Sequence, residues 1–329
     1  MQQTISETPY ADLGPEIVLD AVDSLGLEAD GRLLALNSYE NRVYQIGRED
    51  GPPLVGKFYR EGRWSDAAIL EEHAFTIELS EREIPVVAPL AFNGTTLHYY
   101  EGFRFALFPR QGGRLPDLDN QQAREWIGRF MGRLHMVGGM HAFQARPTLT
   151  STRMGHDPVA YITGHGLIPP SLESAYATLA ADVLQRVDAA FERAGDYAHI
   201  RLHGDCHPGN ILWTDDGPHF VDLDDAMNGP AIQDLWMLIS GDRVEMTRQL
   251  DEILEGYEDF ASLDPRQLHL VEALRTLRMI HFSFWLAKRW NDPAFPPAFP
   301  WFASERYWEE QILALREQAA LLDEPPLQL

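Results

Sequence analysis

The feature that most constrains the fold is a change of sequence pattern near residue 109. From 33 to 108 the chain alternates short apolar stretches with turn formers, and it contains one helical pattern, Asp66 to Ser80. The strand-like stretches begin at Val43, Leu54 and Phe103. Beyond residue 116 long helical patterns dominate. A β-rich first lobe followed by a mainly helical second lobe is therefore predicted.

The lobe boundary is predicted in segment 109–116, because it is rich in Gly and Pro. The first lobe then covers residues 1–108 and the second covers 117–329, which makes the chain a bilobal α+β protein. The predicted helices of the second lobe are Asn120–Gly138, Ser171–Arg193, Val244–Phe260, Pro265–Arg289 and Ser304–Leu322. Another helix is expected near Pro15 to Leu25.

Composition and charge exclude several classes of partner. Hydrophobic residues make up 45% of the 329 residues, as in a packed globule, and the formal charge of −23 disfavours nucleic acid and anionic membranes. The single cysteine, Cys206, excludes a disulfide within the chain. No apolar run reaches the roughly 18 residues of a membrane span, and the N-terminal stretch has no signal-peptide pattern. We expect a cytoplasmic monomer.

The most informative motif is HGDCHPGNILW at 203–213, followed by FVDLDD at 220–225. Asp205 lies five residues before Asn210, and Asp222 follows a predicted hairpin that turns at Asp216-Gly217. Phosphoryl transfer uses such a set: one carboxylate orients the acceptor hydroxyl, while an amide and a second carboxylate bind Mg²⁺ on the ATP phosphates. The spacing also matches the kinase pattern H-R-D-x-x-x-x-N.

Several neighbouring residues allow more than one interpretation. His203, His207 and Cys206 make a poor zinc site, because no further ligand stands at metal spacing. A redox-sensitive Cys206 stays a hypothesis.

Three nearby carboxylates also have open roles. Asp224 and Asp225 are candidates for a second metal or for a general increase in cation affinity. Asp234 either caps the following helix or braces the catalytic loop.

The motifs resemble those of the aminoglycoside phosphotransferase and choline kinase superfamily. HGDCHPGNILW, FVDLDDAMNGPAIQDLWML, LNSYENRVYQ and DPAFP are more narrowly similar to the bacterial stress response kinase A group, over nearly the whole chain. The resemblance implies a protein-kinase-like fold with an ATP-binding first lobe and a catalytic second lobe. It further implies Asp205 as catalytic residue, Asn210 and Asp222 as Mg²⁺ ligands, Asp222 within the catalytic set, and Ser38 in the ATP phosphate loop.

The first lobe should then supply a lysine for the ATP phosphates, and Lys57 lies in the middle of a predicted strand. Glu72 in the following helix is the expected partner of Lys57, and Glu71 is the fallback. The phosphate loop around Ser38 has no glycine, so a turn would have to present its backbone N–H groups.

The predicted function is an ATP- and Mg²⁺-dependent Ser/Thr protein kinase of the stress-response type, with possible autophosphorylation. A small-molecule kinase acting on a choline-, homoserine- or aminoglycoside-like acceptor is the alternative. A pseudokinase is disfavoured because Lys57, Asp205, Asn210 and Asp222 are all present. The short segment from Asp222 to Asp234 leaves little room for a phosphorylated switch.

Overall fold

A computed structural model describes residues 8–329, and the chain divides into two compact units. The first unit comprises residues up to 116 together with 143–146 and 209–225. The second comprises 117–142, 147–208 and 226–329. The hairpin of the phosphotransfer motif thus belongs to the same unit as the N-terminal sheet.

The first unit is built on a five-stranded antiparallel sheet in the order β1-β2-β3-β5-β4. The strands are β1 (Ala29–Leu36), β2 (Arg42–Arg48), β3 (Leu54–Phe58), β4 (His98–Tyr100) and β5 (Phe103–Pro109). Strand β1 was not individually predicted, because its burial pattern shows no alternation and Leu34 is exposed. Such an edge strand carries little periodic signal.

Two helices cover the sheet with apolar side chains. Helix α1 (Pro15–Asp23) contributes Val18 and Val22 to a cluster with Phe58 and Phe105. Helix α2 (Asp66–Glu81) contributes Ile69 to a second cluster with Ala106. Since successive side chains of a strand point to opposite faces, residues 105 and 106 of β5 serve different clusters.

The predicted hairpin is present as β7 (Ile211–Thr214) and β8 (Gly217–Phe220). Thr214 pairs with Gly217, so the two turn residues are Asp215 and Asp216, one position earlier than predicted. Gly217 has a φ of 102°, a conformation that favours glycine, and it begins the second strand.

The second unit is mainly helical. Its helices are α3 (Gln121–Gly138), α4 (Asp157–Gly164), α5 (Glu173–Ala194), α6 (Ile232–Trp236), α7 (Arg243–Tyr257), α8 (Val271–Arg289), α9 (Phe295–Ala298) and α10 (Glu305–Leu322). A π-helical turn, Thr152–His156, precedes α4, and a 3-10 helix, Pro265–Leu270, precedes α8. Two short strands, β6 (Ile200–Leu202) and β9 (Met227–Gly229), pair antiparallel.

Glycines allow helices α3 and α7 to pack closely. A Cβ on Gly128 would lie 1.8 Å from the carbonyl oxygen of Ile253, and one on Gly256 would lie 2.0 Å from that of Glu125. Both helices therefore approach backbone to backbone.

The α+β class is confirmed. Each predicted helix has an observed counterpart; the one predicted over 265–289 divides into a 3-10 helix and α8. Within residues 8–329, no helix has the length and apolar character that a membrane crossing requires.

Candidate active site

Lys57 is the fourth of the five residues of β3, and it pairs with Val43 of β2 and Ala106 of β5. Its side chain is buried, and Nζ donates a hydrogen bond of 2.7 Å to Oδ1 of Asp222. Oδ1 of Asp224 lies 3.3 Å from the same Nζ. Burial alone would lower the pKa of Lys57, but the two carboxylates raise it above its usual value. The lysine is thus held as a cation.

Glu72, the expected partner of Lys57, is buried on α2. Burial raises the pKa of Glu72, while Lys57 and Arg146 act against this shift. Its Oε2 lies 3.9 Å from Nη2 of Arg146, and its Oε1 accepts a hydrogen bond of 3.1 Å from Thr76. Among residues 8–329, the carboxylates that form ion pairs with Lys57 within 4.0 Å are those of Asp222 and Asp224, so the pairing of Lys57 with Glu72 stays a prediction.

Glu71, the fallback partner, has another role in the structure. Its carboxylate accepts hydrogen bonds from the backbone N–H groups of Gln144, Ala145 and Arg146, at 2.6, 2.8 and 2.8 Å. Glu71 therefore anchors α2 to the segment 143–146.

Asp224 is the buried centre of a charged cluster. Its carboxylate accepts hydrogen bonds from Arg63 and, at 3.0 Å, from Nδ2 of Asn41. Burial would raise the pKa of Asp224, but Arg63, Lys57 and Arg146 lower it far below its usual value. Asp224 is thus an ionised carboxylate surrounded by protein cations.

Asp225 is bound to the same arginine, since Nη2 of Arg63 lies 2.6 Å from its Oδ1. These contacts favour a structural role for Asp224 and Asp225 over the second-metal role.

Asn210 and Asp222 flank the open end of the hairpin. Asn210 ends a 3-10 helix, Pro208–Asn210, directly before β7, and its carbonyl accepts a hydrogen bond of 3.0 Å from Val221 N–H. Asp222 lies two residues after β8 and has a φ of 61°. A positive φ is uncommon for a residue other than glycine, and such conformations occur often at functional sites.

The donor set at the hairpin fits Mg²⁺. An amide oxygen and a carboxylate are the hard ligands this ion prefers, together with water and phosphate. The Asp222 side chain is 55% exposed, so ligand can reach it.

Ser38 lies in the turn between β1 and β2, residues 37–41, and is half-buried. Its neighbour Asn41 is buried, and the hydrogen bond of Asn41 to Asp224 links this turn to the segment that carries Asp222. The phosphate role of Ser38 stays a prediction.

Asp205 belongs to the second unit. Its Oδ1 accepts a hydrogen bond from Nη1 of Arg278 on α8, and Nε2 of His207 lies 3.6 Å from its Oδ2. Burial would raise the pKa of Asp205, but Arg278, His207 and His203 lower it below its usual value. The carboxylate is therefore ionised and able to accept a proton.

Asp234 supports the loop that carries Asp205. Its two carboxylate oxygens accept hydrogen bonds of 2.8 Å from the backbone N–H groups of His203 and Gly204, and it lies 3.1 Å from Nε2 of His135. Gly204 has a φ of 87°, which explains a glycine where the kinase pattern has arginine. Of the two interpretations of Asp234, the geometry favours the brace over the helix cap.

Cys206 is fully buried beside this loop. Burial, with Asp234 and Asp205, raises the pKa of its thiol well above the usual value. This argues against a reactive thiolate. Within residues 8–329, no group of three or more His, Cys, Asp or Glu side chains could hold a metal.

Several site residues had not been singled out from sequence, including Asn41, Arg63, Arg146 and Arg278. Arg146 is buried; it donates hydrogen bonds of 2.7 Å to Ala68 O and 2.6 Å to Asp224 O. An arginine far along the chain from the motifs carries no spacing signal, so only the fold reveals it. Asn41 stood in the quoted LNSYENRVYQ segment, where most of its neighbours are polar and no spacing singled it out.

The profile of the phosphotransferase enzyme family, also abbreviated APH, matches residues 32–271. Stress response kinase A of Escherichia coli (strain K12) is 47% identical over 320 residues, which cover 97% of each chain. Serine/threonine protein kinase RdoA of Salmonella typhimurium (strain LT2) shows the same identity and coverage. The solved structure of an amicoumacin kinase, in complex with AMP-PNP and Ca²⁺, aligns with a TM-score of 0.72 at 20% identity. That alignment covers 95% of this chain and 94% of the other. It shows a shared fold and confirms the predicted kinase-like architecture.

Proposed function

The chain belongs to the phosphotransferase enzyme family and is a homologue of a Ser/Thr protein kinase, and from that premise we propose that it transfers the γ-phosphate of Mg²⁺-ATP to Ser or Thr hydroxyls of a protein. The main observation in support of Mg²⁺-ATP binding is the hydrogen bond between Lys57 and Asp222, which lie 165 positions apart in the sequence. A phosphate-binding lysine and a metal-binding aspartate have to converge for this reaction.

Each residue has a defined task in the proposed reaction. Lys57 binds the ATP phosphates, the Ser38 turn offers them its hydroxyl and backbone N–H groups, and Glu72 orients Lys57 when nucleotide replaces Asp222 as its partner. Asn210 and Asp222 would hold Mg²⁺, which supplies positive charge to the phosphates.

Asp205 accepts the hydrogen bond of the acceptor hydroxyl and takes its proton. The hydroxyl oxygen then forms a bond to the γ-phosphorus, the bond from that phosphorus to the β,γ-bridging oxygen breaks, and ADP leaves with the electron pair of that bond. Asp234 maintains the loop conformation through two backbone N–H groups.

A protein acceptor is supported by the name of one relative, the serine/threonine protein kinase RdoA of Salmonella typhimurium, which matches 97% of the chain. A cytoplasmic location is part of the proposal, because the reaction consumes ATP and the only cysteine forms no disulfide.

A small-molecule acceptor is the second candidate. It is favoured by the fold shared with the amicoumacin kinase, at a TM-score of 0.72, and by the −23 charge, which suits cationic acceptors.

The test uses purified protein, Mg²⁺ and labelled ATP with fractionated host lysate, followed by mass spectrometry. Phosphoserine or phosphothreonine that appears with the parent and not with Asp205→Asn supports the protein kinase. A parallel screen of the lysate's metabolite pool measures ATP consumption. Consumption with small alcohols, and no phosphorylated protein, would replace the leading proposal with the second candidate.

A further inference from the structure

The turn between β1 and β2 has a composition that requires side chains outside the turn to fix its backbone. Residues 37–41 read Asn-Ser-Tyr-Glu-Asn and contain no glycine. Backbone N–H groups bind phosphate well only when they are held in place before the ligand arrives. In this glycine-free turn, contacts from the surrounding side chains must hold the backbone N–H groups in place.

Asn41 makes two buried hydrogen bonds at the end of the turn. It is 3% exposed; its Oδ1 accepts from the backbone N–H of Arg60 at 3.2 Å, and its Nδ2 donates to Oδ2 of Asp224 at 3.0 Å. A buried amide that uses both its donor and its acceptor fixes the backbone that carries it.

Two further side chains hold the preceding residues. The Arg60 guanidinium donates to the carbonyl oxygens of Glu40 at 2.9 Å and Tyr39 at 3.2 Å. The Tyr10 hydroxyl also donates to the Glu40 carbonyl, at 3.3 Å. Three consecutive residues of the turn, 39–41, are thus tied to the body of the first unit.

The Asn41 contact is distinctive because of what lies at its other end. Asp224 also lies 3.3 Å from the Lys57 ammonium and is two residues from Asp222. A single carboxylate therefore connects the turn to the phosphate lysine and to the segment of the magnesium ligand.

We propose that Asn41 is a positioning residue, which fixes the 37–41 turn for the nucleotide phosphates by its hydrogen bond to Asp224. This inference rests on the proposed function in one respect, namely that the turn binds ATP. Asp224 then acts as a shared anchor, and this role explains why a carboxylate beside the metal-binding aspartate is buried and bound to protein cations. The bracing takes the place of the glycines in a glycine-rich loop.

The test is the variant Asn41→Asp, in which aspartate keeps the size and shape of asparagine. The new carboxylate can still accept from Arg60 N–H, but it cannot donate to Asp224 and repels it. Calorimetry with Mg²⁺-ATP should show binding weakened by about tenfold or more, and amide hydrogen exchange in residues 37–41 should accelerate. In the double variant Asn41→Asp/Asp224→Asn, the amide at position 224 can donate to the carboxylate at position 41, so part of the affinity should return.

A matched control removes a buried hydrogen bond elsewhere in the same unit. Thr96→Val deletes the 2.8 Å bond to His73 without touching the turn. It should lower thermal stability and leave Mg²⁺-ATP affinity unchanged. In turnover assays Asn41→Asp should raise KM for ATP while KM for the acceptor stays constant.

Two results would overturn the inference: equal Mg²⁺-ATP affinity and equal exchange in the parent and Asn41→Asp, or a loss of affinity in Thr96→Val as large as that in Asn41→Asp. A parent that does not bind Mg²⁺-ATP would remove the inference and the proposed function together. A parent that binds it but phosphorylates no acceptor would contradict the proposed function alone.

Discussion

The Asp205 carboxylate is the group on which the proposed chemistry depends most directly. Its contacts with Arg278 and His207 hold it ionised, and Asp234 holds the backbone before it. Replacing Asp205 by asparagine preserves its size and removes the acceptor for the hydroxyl proton. We expect Asp205→Asn to lower kcat by about 10²–10⁴-fold while Mg²⁺-ATP affinity by calorimetry stays within the error of the parent. Unchanged turnover would contradict the assigned role.

Arg278 sets the pH range in which Asp205 works. Burial raises the pKa of Asp205, whereas Arg278, His207 and His203 lower it. A carboxylate base acts above its pKa, so removing the arginine charge moves the acid limb of the kcat profile to higher pH. Arg278→Gln should show this shift, and Arg278→Lys, which keeps a positive charge, should show less of it. Identical acid limbs in the parent and Arg278→Gln would argue against the contact in solution.

At the scale of elements, the close packing of α3 and α7 predicts that one added methyl group between them lowers the free energy of unfolding markedly. In Gly128→Ala the new Cβ would overlap the Ile253 carbonyl, so the helices must separate. We expect a loss of about 2–3 kcal/mol in the free energy of unfolding, measured with denaturant. Gly164→Ala, at the end of α4, is the control and should be nearly neutral, because a Cβ added there meets nothing within 4 Å beyond its own chain neighbours and helix backbone. Equal stabilities would mean that the helices lie further apart.

Elements with a strong periodic pattern were predictable from sequence, and elements without one were not. Helix α3 begins at Gln121, one residue after its predicted start at Asn120, and the hairpin β7–β8 differs by one residue at the turn. Strands β6 and β9 are three residues long and show no usable alternation. Strand β1 is largely exposed, so its apolar residues follow no buried face.

The same distinction applies to the candidate site. Asp205, Asn210 and Asp222 could be proposed from sequence because phosphoryl transfer demands fixed residue types at short spacing within one segment. Arg63 and Arg146 reach Asp224 only through the tertiary fold. The Lys57–Asp222 contact likewise depends on the sheet and the hairpin belonging to one unit. Local pattern cannot report such distant pairs.

For the whole molecule, the main electrostatic problem is to bind ATP on a chain with a formal charge of −23. The first unit collects Lys57, Arg63 and Arg146 around two aspartates, one buried and one exposed. Asp224 is bound by Arg63, whereas Asp222 is exposed and is paired with Lys57. Metal ion and protein cations together can therefore offset the repulsion between nucleotide and protein.

This division of charge predicts how stability should respond to ligand. A ligand that binds only the folded state, at a concentration of 100 times its Kd, stabilises that state by about 2.7 kcal/mol. Mg²⁺-ATP should therefore raise the Tm of the parent protein. ATP with EDTA should raise the Tm much less. Because Asp222 is 55% exposed, Asp222→Asn should change Tm little without ligand and should abolish most of the Mg²⁺-dependent increase. Thr96→Val serves as the comparison, with a lower Tm and a full increase. An equal Mg²⁺-dependent increase in Asp222→Asn would exclude Asp222 as the ligand of the metal.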